Sequence, residues 1–130
     1  MTLNVLRVTS STLDAYNRYV KATGANVDNA TGFLYISPGQ YQNLESLFFE
    51  IGGSAFELTP NAQIWPRSLY NAIGGEKDRV YLVVQNLGQA MPGLDFICGM
   101  AFMERFYVVF DTAGQQLGLA NTPFTYAETN

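Results

Sequence analysis

The chain has 130 residues, of which 48% are hydrophobic and 14% are charged, and its formal net charge is −4. Since a charged share of about 25% is usual for soluble domains, an unusually uncharged surface is expected, part of it for a partner. The 7 basic residues form no stripe that a phosphate backbone would follow, so no nucleic acid is expected as a partner. No apolar run approaches the ~20 residues of a membrane span, so no membrane is expected either.

Absent and rare residue types narrow the chemistry further. The chain contains no His, which excludes His-dependent serine and cysteine triads, imidazole zinc sites and imidazole acid–base catalysis. The single Cys98 lies in an apolar run, which predicts a buried, inert thiol and no disulfide within the chain. No metal or cofactor site is indicated. The N-terminus lacks an extended apolar stretch, so this chain itself is expected to carry no signal peptide.

The start of the chain predicts a strand and the main helix. Residues 3–8 alternate apolar and polar side chains, as a half-buried strand does. Apolar residues then recur at helical spacing, which predicts the main helix near residues 11-23. Capping-box spacing between Ser11 and Asp14 marks its start, and Gly24 occupies the C-cap position.

A polar turn follows the helix and contains the triplet Asn29-Ala30-Thr31, an N-glycosylation sequon. Asn29 is therefore a glycosylation candidate in a secreted protein. Sequons also arise by chance, so the alternative is an unmodified turn. A short strand is predicted directly after it, over residues 33–36.

The middle of the chain predicts a β-hairpin. Residues 47–51 and 55–58 flank Gly52-Gly53, a two-glycine turn typical of hairpins. Trp65 is predicted to be a packed residue, against the alternative of an exposed sugar-stacking platform. The other predictions here are a short strand over residues 61–65, a helical turn over 67–73, an exposed charged loop over 76–79 and a strand over 80–86.

The strongest strand pattern lies near the C-terminus and predicts a second hairpin. Aromatic and β-branched residues fill positions 106–110, and residues 111–114 supply turn chemistry. Residues 116–120 then predict the returning strand. The tetrapeptide Phe110-Asp111-Thr112-Ala113 at this turn is nearly a catalytic triplet of an aspartic protease.

The segments on either side of this hairpin are shorter. Residues 96–98 are an apolar run, predicted as an inner strand that Gly99 ends, and residues 100–105 predict a short helix. The polar tail is predicted to add an edge strand around Phe124 or to fray. With strand patterns about every 8 to 12 residues and one main helix, the chain predicts a mostly β fold, a barrel or sandwich of antiparallel strands, in one domain over residues 1–130.

Three segments, LFFEIGGSAFELTPNAQIWP, LDFICGMAF and RFYVVFDTAGQQLGLA, together resemble the C-terminal lobe of pepsin-like aspartic endopeptidases, in particular the secreted, polyporopepsin-type enzymes of basidiomycete fungi. In that family a hydrophobic-hydrophobic-Gly motif leads into a short helix. A Tyr/Val-rich strand ending in Phe-Asp and a hairpin ending in Gly-hydrophobic-Ala follow. The corresponding positions here are Ile97, Cys98, Gly99, Tyr107, Asp111 and Gly118. The resemblance implies a partial acid-protease lobe.

The resemblance also implies where catalytic residues would lie. The family uses two Asp-Thr/Ser-Gly loops, whose carboxylates share one proton because two like charges that close cannot both ionise. The only Asp-Thr pair here, Asp111-Thr112, precedes Ala113 and matches a structural hairpin of the family. The triplet of this lobe would stand directly before Thr2, ending just ahead of Met1. No catalytic residue is therefore expected in this chain.

These expectations lead to a hypothesis of a non-catalytic, secreted fungal protein derived from the protease lobe. Uncovered strand edges would favour a homodimer or a second polypeptide as partner. Glycan-binding or immunomodulatory roles suit such a protein, although no residue pattern identifies a ligand.

Two enzymatic alternatives exist. In the first, the chain is one part of a two-chain aspartic endopeptidase whose partner carries both aspartates. In the second, it is an independent hydrolase that uses Glu104 with Asp95 or Asp111. For the acids of the second alternative, structural roles are favoured over catalytic ones. Glu104 is predicted to form a surface pair with Arg105, and Asp95 is predicted to be a loop residue.

Overall fold

The computed structural model describes residues 12–88, 92, 94 and 96–130. Within these ranges the chain forms four α-helices and seven strands, and all strand pairs are antiparallel. The helices are α1 (Thr12–Thr23), α2 (Pro38–Tyr41), α3 (Tyr70–Ile73) and α4 (Met100–Met103). The strands are β1 (Asn26–Val27), β2 (Leu34–Ile36), β3 (Leu47–Ile51), β4 (Ser54–Leu58), β5 (Val80–Tyr81), β6 (Phe106–Asp111) and β7 (Gln116–Asn121). The strand predicted over residues 3–8 and the cap predicted at Ser11 lie outside the described residues.

Helix α1 is the main helix that the apolar spacing predicts, and that prediction is confirmed. It ends at Gly24, which has a left-handed φ of +67° and donates its N–H to the carbonyl oxygen of Val20 at 3.0 Å. The inner face of α1 buries Tyr19, whose hydroxyl donates to Oε1 of Gln63 at 2.9 Å. Burial raises the pKa of the Tyr19 hydroxyl, so this group stays a neutral donor.

The central sheet has the strand order β1-β2-β5 and is extended by the segment around Ile64. Its register pairs Asn26 with Tyr35, Val27 with Leu34, Tyr35 with Tyr81 and Ile36 with Val80. Beyond β5, the N–H of Val83 donates to the carbonyl oxygen of Gln63 at 2.9 Å. The strand predicted over residues 80–86 is therefore too long, because β2 and the Ile64 segment provide pairing partners only opposite residues 80–83.

The strand predicted over residues 61–65 is wrong in its first half, where Asn61–Gln63 form a 3-10 helix. Proline fixes φ near the helical value, and Pro60 starts this turn with φ −52° and ψ −42°. The extended backbone begins only at Ile64, which has φ −110° and ψ 148°. The helical turn predicted over residues 67–73 is confirmed: a 3-10 helix, Arg67–Leu69, continues into α3.

The predicted hairpin around two glycines is confirmed as β3–β4. Gly52 and Gly53 have φ values of +58° and +81°, the left-handed pair that a two-residue turn between twisted strands requires. In the register of this hairpin Phe49 pairs with Phe56. Both rings pack against the core.

One cluster of buried side chains connects the sheets with the helices. Its members are Tyr19, Ala25, Leu34, Ile36, Leu47, Leu58, Ala62, Ile64, Val80, Leu82, Phe102 and Phe106. The rings of Phe102 and Phe106 lie 4.6 Å apart, and the ring of Phe56 lies 5.6 Å from that of Phe106. Aromatic contacts therefore attach α4 and β6 to the β3–β4 hairpin.

The inner strand predicted over residues 96–98 is not formed. The carbonyl oxygen of Gly99 accepts the N–H groups of Phe102 at 3.1 Å and Met103 at 3.0 Å, so this segment serves as the lead into α4. The short helix predicted over residues 100–105 is present as α4, which ends at Met103. The predicted second hairpin is confirmed as β6–β7.

The C-terminal tail neither frays nor adds an edge strand. Arg105 and Thr125 are both buried, and the Thr125 hydroxyl donates to the carbonyl oxygen of Arg105 at 2.6 Å. The Arg105 guanidinium donates to the carbonyl oxygens of Phe124 at 3.3 Å and Ala127 at 2.7 Å. The surface pair predicted for Glu104 and Arg105 is therefore wrong, since the arginine points inward and binds the tail.

Candidate interaction surface

The two faces of the β6–β7 hairpin have different surroundings. Cross-strand partners share a face, so Phe106 and Val108 lie on the same face as Leu119, their neighbour on β7. Phe106 is buried, and Val108 and Leu119 pack against the core. This face therefore fixes the base of the hairpin to the rest of the chain.

Beyond its buried positions the hairpin carries exposed apolar side chains on both faces. Phe110 and its cross-strand partner Leu117 continue the inner face but are 71% and 53% exposed. On the outer face Tyr107 and Val109 are 64% and 42% exposed. We call Tyr107, Val109, Phe110 and Leu117 the hairpin apolar surface. Phe110 and Leu117 are direct cross-strand neighbours on one face, whereas Tyr107 and Val109 lie on the other, so this surface has an apolar part on each face of the hairpin.

Each strand of this hairpin also has one edge that no described strand pairs with. Among the described residues β6 and β7 pair only with each other, so each leaves one row of N–H and C=O groups unpaired. Residues 106–121 contain neither Lys nor Pro, the residues that commonly block edge pairing. The uncovered strand edges expected from the sequence stay a prediction for the whole chain, and within the described residues the outer edges of this hairpin are unpaired.

The turn of the hairpin is closed by Asp111. Its carboxylate accepts the N–H of Gly114 at 2.8 Å and Nε2 of Gln116 at 3.0 Å. These hydrogen bonds hold the pKa of the Asp111 carboxyl below its ordinary value, and the bond from Gln116 has the largest effect. Asp111 thus acts as a turn residue whose charge is bound locally.

Of the other two acids of the hydrolase alternative, the structure describes only Glu104. Glu104 is exposed just after α4, and Asp95 lies outside the described residues. Across residues 12–88, 92, 94 and 96–130, no group of three acidic, His or Cys side chains is placed to hold a metal ion.

The motif residues that the resemblance singled out fall on α4 and this hairpin. Ile97 is 63% exposed, and Cys98 is half-buried against the core. Burial raises the pKa of the Cys98 thiol, which favours its protonated form. Gly99 leads into α4, Tyr107 belongs to the hairpin apolar surface, and Gly118 pairs with Val109 across the strands.

A carboxylate network that the sequence did not predict lies beside the sequon. Asp28 is buried and accepts the hydroxyl of Tyr81 at 3.0 Å and Nη1 of Arg79 at 3.2 Å. Arg79 was predicted to lie in an exposed loop, but its guanidinium stacks over the Tyr35 ring at 4.3 Å. The Asp-Asn-Ala-Thr-Gly sequence suggests an Asx turn at Asp28. It gives no sign of the partners Arg79 and Tyr81, which are distant in sequence.

Two further sites have mainly structural contacts. The Trp65 ring packs against that of Phe33 at 5.0 Å, in line with the packed role predicted for it. An open cleft of about 590 Å³ lies between β3–β4 and the tail. It is lined by Tyr41, Ser46, Glu57, Thr59, Pro60, Asn61, Ile64, Arg67, Tyr126, Glu128 and Asn130. Within it, Ser46 donates to Glu57 at 2.6 Å, so this carboxylate is already occupied.

Comparison with known proteins identifies the fold. A family described as eukaryotic aspartyl protease matches residues 6–122. The chain is 58% identical to polyporopepsin of Irpex lacteus over 118 residues, which cover 90% of this chain and 35% of the relative. It is 36% identical to gastricsin of Homo sapiens over 101 residues, which cover 78% of this chain and 24% of the relative.

A crystal structure of the aspartic proteinase from Irpex lacteus superposes with a TM-score of 0.86 over 90% of this chain and 35% of that one. The prediction of a mostly β, partial pepsin-like lobe is therefore confirmed. The chain spans between about a quarter and about a third of the length of these relatives. In the part that the structure describes, no helix is long and apolar enough to cross a membrane.

Proposed function

This chain belongs to the eukaryotic aspartyl protease family, and we propose that it is a non-catalytic interaction module that binds a second copy of itself through the β6–β7 hairpin. The observation that supports the proposal is the coincidence of the hairpin apolar surface with two strand edges that no described strand pairs with. Each feature alone is common on protein surfaces. Together they supply both the apolar burial and the backbone hydrogen bonds of a strand-pairing interface.

A twofold arrangement suits this hairpin. In a symmetric dimer the same patch of both copies meets, so a strand edge pairs antiparallel with its own copy. The strand at the paired edge would bring its own exposed apolar residue, Phe110 for β6 or Leu117 for β7, next to the corresponding strand of the other chain. The 14% share of charged residues keeps repulsion between two copies small.

We propose a non-catalytic role because of the chemistry that the family uses. An aspartic dyad needs two carboxylates around one shared proton. The 130 residues contain no Asp-Thr-Gly or Asp-Ser-Gly triplet, and the carboxylate of Asp111 is engaged by its own turn. The proposed location is outside the cell, which rests on the resemblance to secreted enzymes.

Light scattering on the purified chain tests the proposal. We expect a mass twice the 14.4 kDa of one chain, and the mass of a single chain for Phe110→Glu. Phe124→Glu is the matched control, because Phe124 is 67% exposed but lies outside the hairpin, and it should leave the dimer intact. A single-chain mass for the wild type at every concentration contradicts self-association.

The alternative is that this chain is one part of a two-chain aspartic endopeptidase. The observation in its favour is that the chain spans only 35% of the length of polyporopepsin, so a second polypeptide would supply the rest. The partner polypeptide would then carry both catalytic aspartates and cover the hairpin apolar surface. In that case the chain is monomeric alone, binds that polypeptide, and loses this binding in Phe110→Glu. Peptidase activity would appear only in the mixture.

A further inference from the structure

We propose that Asn29 carries an N-linked glycan that covers the free edge of strand β1. Asn29 is exposed in the turn between β1 and β2, directly after the buried Asp28. Strand β1 lies at the end of the order β1-β2-β5. The inference is independent of dimer formation by the β6–β7 hairpin and requires only passage through the secretory pathway.

The turn is held together without the Asn29 side chain. The backbone N–H of Gly32 donates to the carbonyl oxygen of Asp28 at 2.7 Å, and Gly32 has a left-handed φ of +76°. The Asp28 carboxylate accepts the N–H of Ala30 and the hydroxyl of Thr31, both at 3.0 Å. The Asn29 amide makes no hydrogen bond to the described residues. A sugar on Asn29 therefore breaks no contact of the folded turn.

The sequon is also the only one in the chain, since no other Asn begins an Asn-X-Ser/Thr triplet. In the modification, Nδ2 of Asn29 forms a bond to the anomeric carbon of a polyprenyl-diphosphate-linked oligosaccharide. The carbon–oxygen bond to the diphosphate breaks, the diphosphate leaves with the electron pair, and the amide nitrogen loses one proton to solvent.

The contacts of Thr31 indicate whether the sugar is added before or after the turn forms. Its hydroxyl, which the sequon requires, donates to Asp28 and accepts the N–H of Phe33 at 3.2 Å in the folded protein. Because this hydroxyl is occupied once the turn closes, the sugar is added before the turn forms. Modification during synthesis meets that condition.

The neighbouring strand gives the glycan a role. Val27 of β1 is 56% exposed, and within the described part of the chain β1 pairs on one side only, with β2. An unprotected edge with an apolar side chain is a template for pairing with another chain. A bulky, solvated sugar two residues away obstructs that approach, much as a charged residue on an edge strand does.

The test is secretion of the full chain, behind an added signal sequence, from a eukaryotic host. We expect a band that becomes smaller with peptide N-glycosidase, and a peptide in which Asn29 has become Asp. Asn29→Gln should remove the sugar and keep the turn, whereas Thr31→Ser should keep both, because it retains the hydroxyl. Thr31→Val should remove the sugar and also lower the melting temperature relative to Asn29→Gln.

Secreted wild-type protein with unmodified Asn29 overturns the proposal. The covering role has its own readout, in which native deglycosylated protein is compared with its Val27→Lys variant. We expect deglycosylation to increase association of the wild type and to leave Val27→Lys unchanged. Equal association before and after removal of the sugar contradicts the role at β1.

Discussion

The guanidinium of Arg105 donates a 2.7 Å hydrogen bond to the carbonyl oxygen of Ala127, so a buried cation after α4 fixes the chain's last turns. A second nitrogen of the same group donates to Oδ1 of Asn61 at 3.0 Å. The partners of this buried charge are carbonyl and amide oxygens, and the described residues place no carboxylate in ion-pair distance. The hydrogen bonds are therefore what compensates its desolvation.

Arg105→Met should lower the free energy of unfolding by about 3 kcal/mol, because hydrogen bonds to a charged group are worth about 1.5 to 3 kcal/mol and several are lost together. Urea unfolding measures this change. Arg105→Lys keeps the charge but cannot reach both sides of the contact, so its loss should be smaller but not zero. Lys77→Met, at an exposed site, is the control and should change stability by less than about 0.5 kcal/mol.

Tyr19 and Gln63 should be energetically coupled. Nε2 of Gln63 donates to the carbonyl oxygens of Glu45 at 2.9 Å and Leu58 at 3.0 Å, while its Oε1 accepts from Tyr19. Gln63→Leu leaves these buried groups unpaired and should cost about 3 kcal/mol. Tyr19→Phe alone should cost about 1 kcal/mol, and much less in the Gln63→Leu background. Additive costs in this double-mutant cycle would show that the buried hydrogen bond contributes nothing.

Asp28 should make stability depend on pH. The N–H of Ala30 is the largest influence that holds the pKa of this carboxyl below its ordinary value, followed by Thr31, Tyr81 and Arg79. A lowered folded-state pKa gives stability that is present above the unfolded pKa of about 3.9 and is lost as pH falls through the folded-state value. Melting temperatures from pH 7 downward should therefore fall less steeply for Asp28→Asn than for the wild type below about pH 4.

The pKa of Asp111 is lowered too and adds a change of the same sign, so only the difference between wild type and Asp28→Asn reports on Asp28. Asp78→Asn, in the exposed part of the charged loop, is the control and should keep the wild-type slope. Parallel curves for the wild type and Asp28→Asn would contradict the role of the network.

The purified chain alone should cleave no protein substrate at a pH between about 1.5 and 4.7, where an aspartic dyad shares one proton. Asp111→Asn should leave this absence of activity unchanged, since Asp111 closes a turn. A pepsin-type enzyme serves as the positive control for substrate and buffer. Cleavage by the chain that a pepsin inhibitor abolishes would refute the non-catalytic proposal.

The sequence predicts well the elements whose partners lie close along the chain. The glycine pair at Gly52 fixes the β3–β4 turn by backbone conformation alone, and the aromatic strand after Arg105 continues into its own turn at Asp111. The inward direction of Arg105 was missed because its partners lie 19 to 44 residues away in sequence. Spacing of apolar residues carries no information about such contacts.

The prediction of a strand after Pro60 failed for a local reason. Pro60 directly precedes the predicted strand, and its fixed φ suits the start of a helical turn, so a 3-10 helix forms instead. The family resemblance identified the partial lobe. It did not identify Asp28, whose buried network depends on Tyr81, 53 residues away.

The β6–β7 register also affects how the chain folds. Its pairs, from Asp111 with Gln116 outward, join residues close in sequence, and an isolated hairpin forms in about 1 to 10 μs. The bond between Tyr81 and Asp28 closes a far longer loop, so the central sheet is expected to assemble later. During that interval the hairpin is formed while its strand edges and the hairpin apolar surface are exposed to solvent. Refolding yield should therefore decline as protein concentration rises, because partly folded chains collide at this hairpin before the sheet is complete.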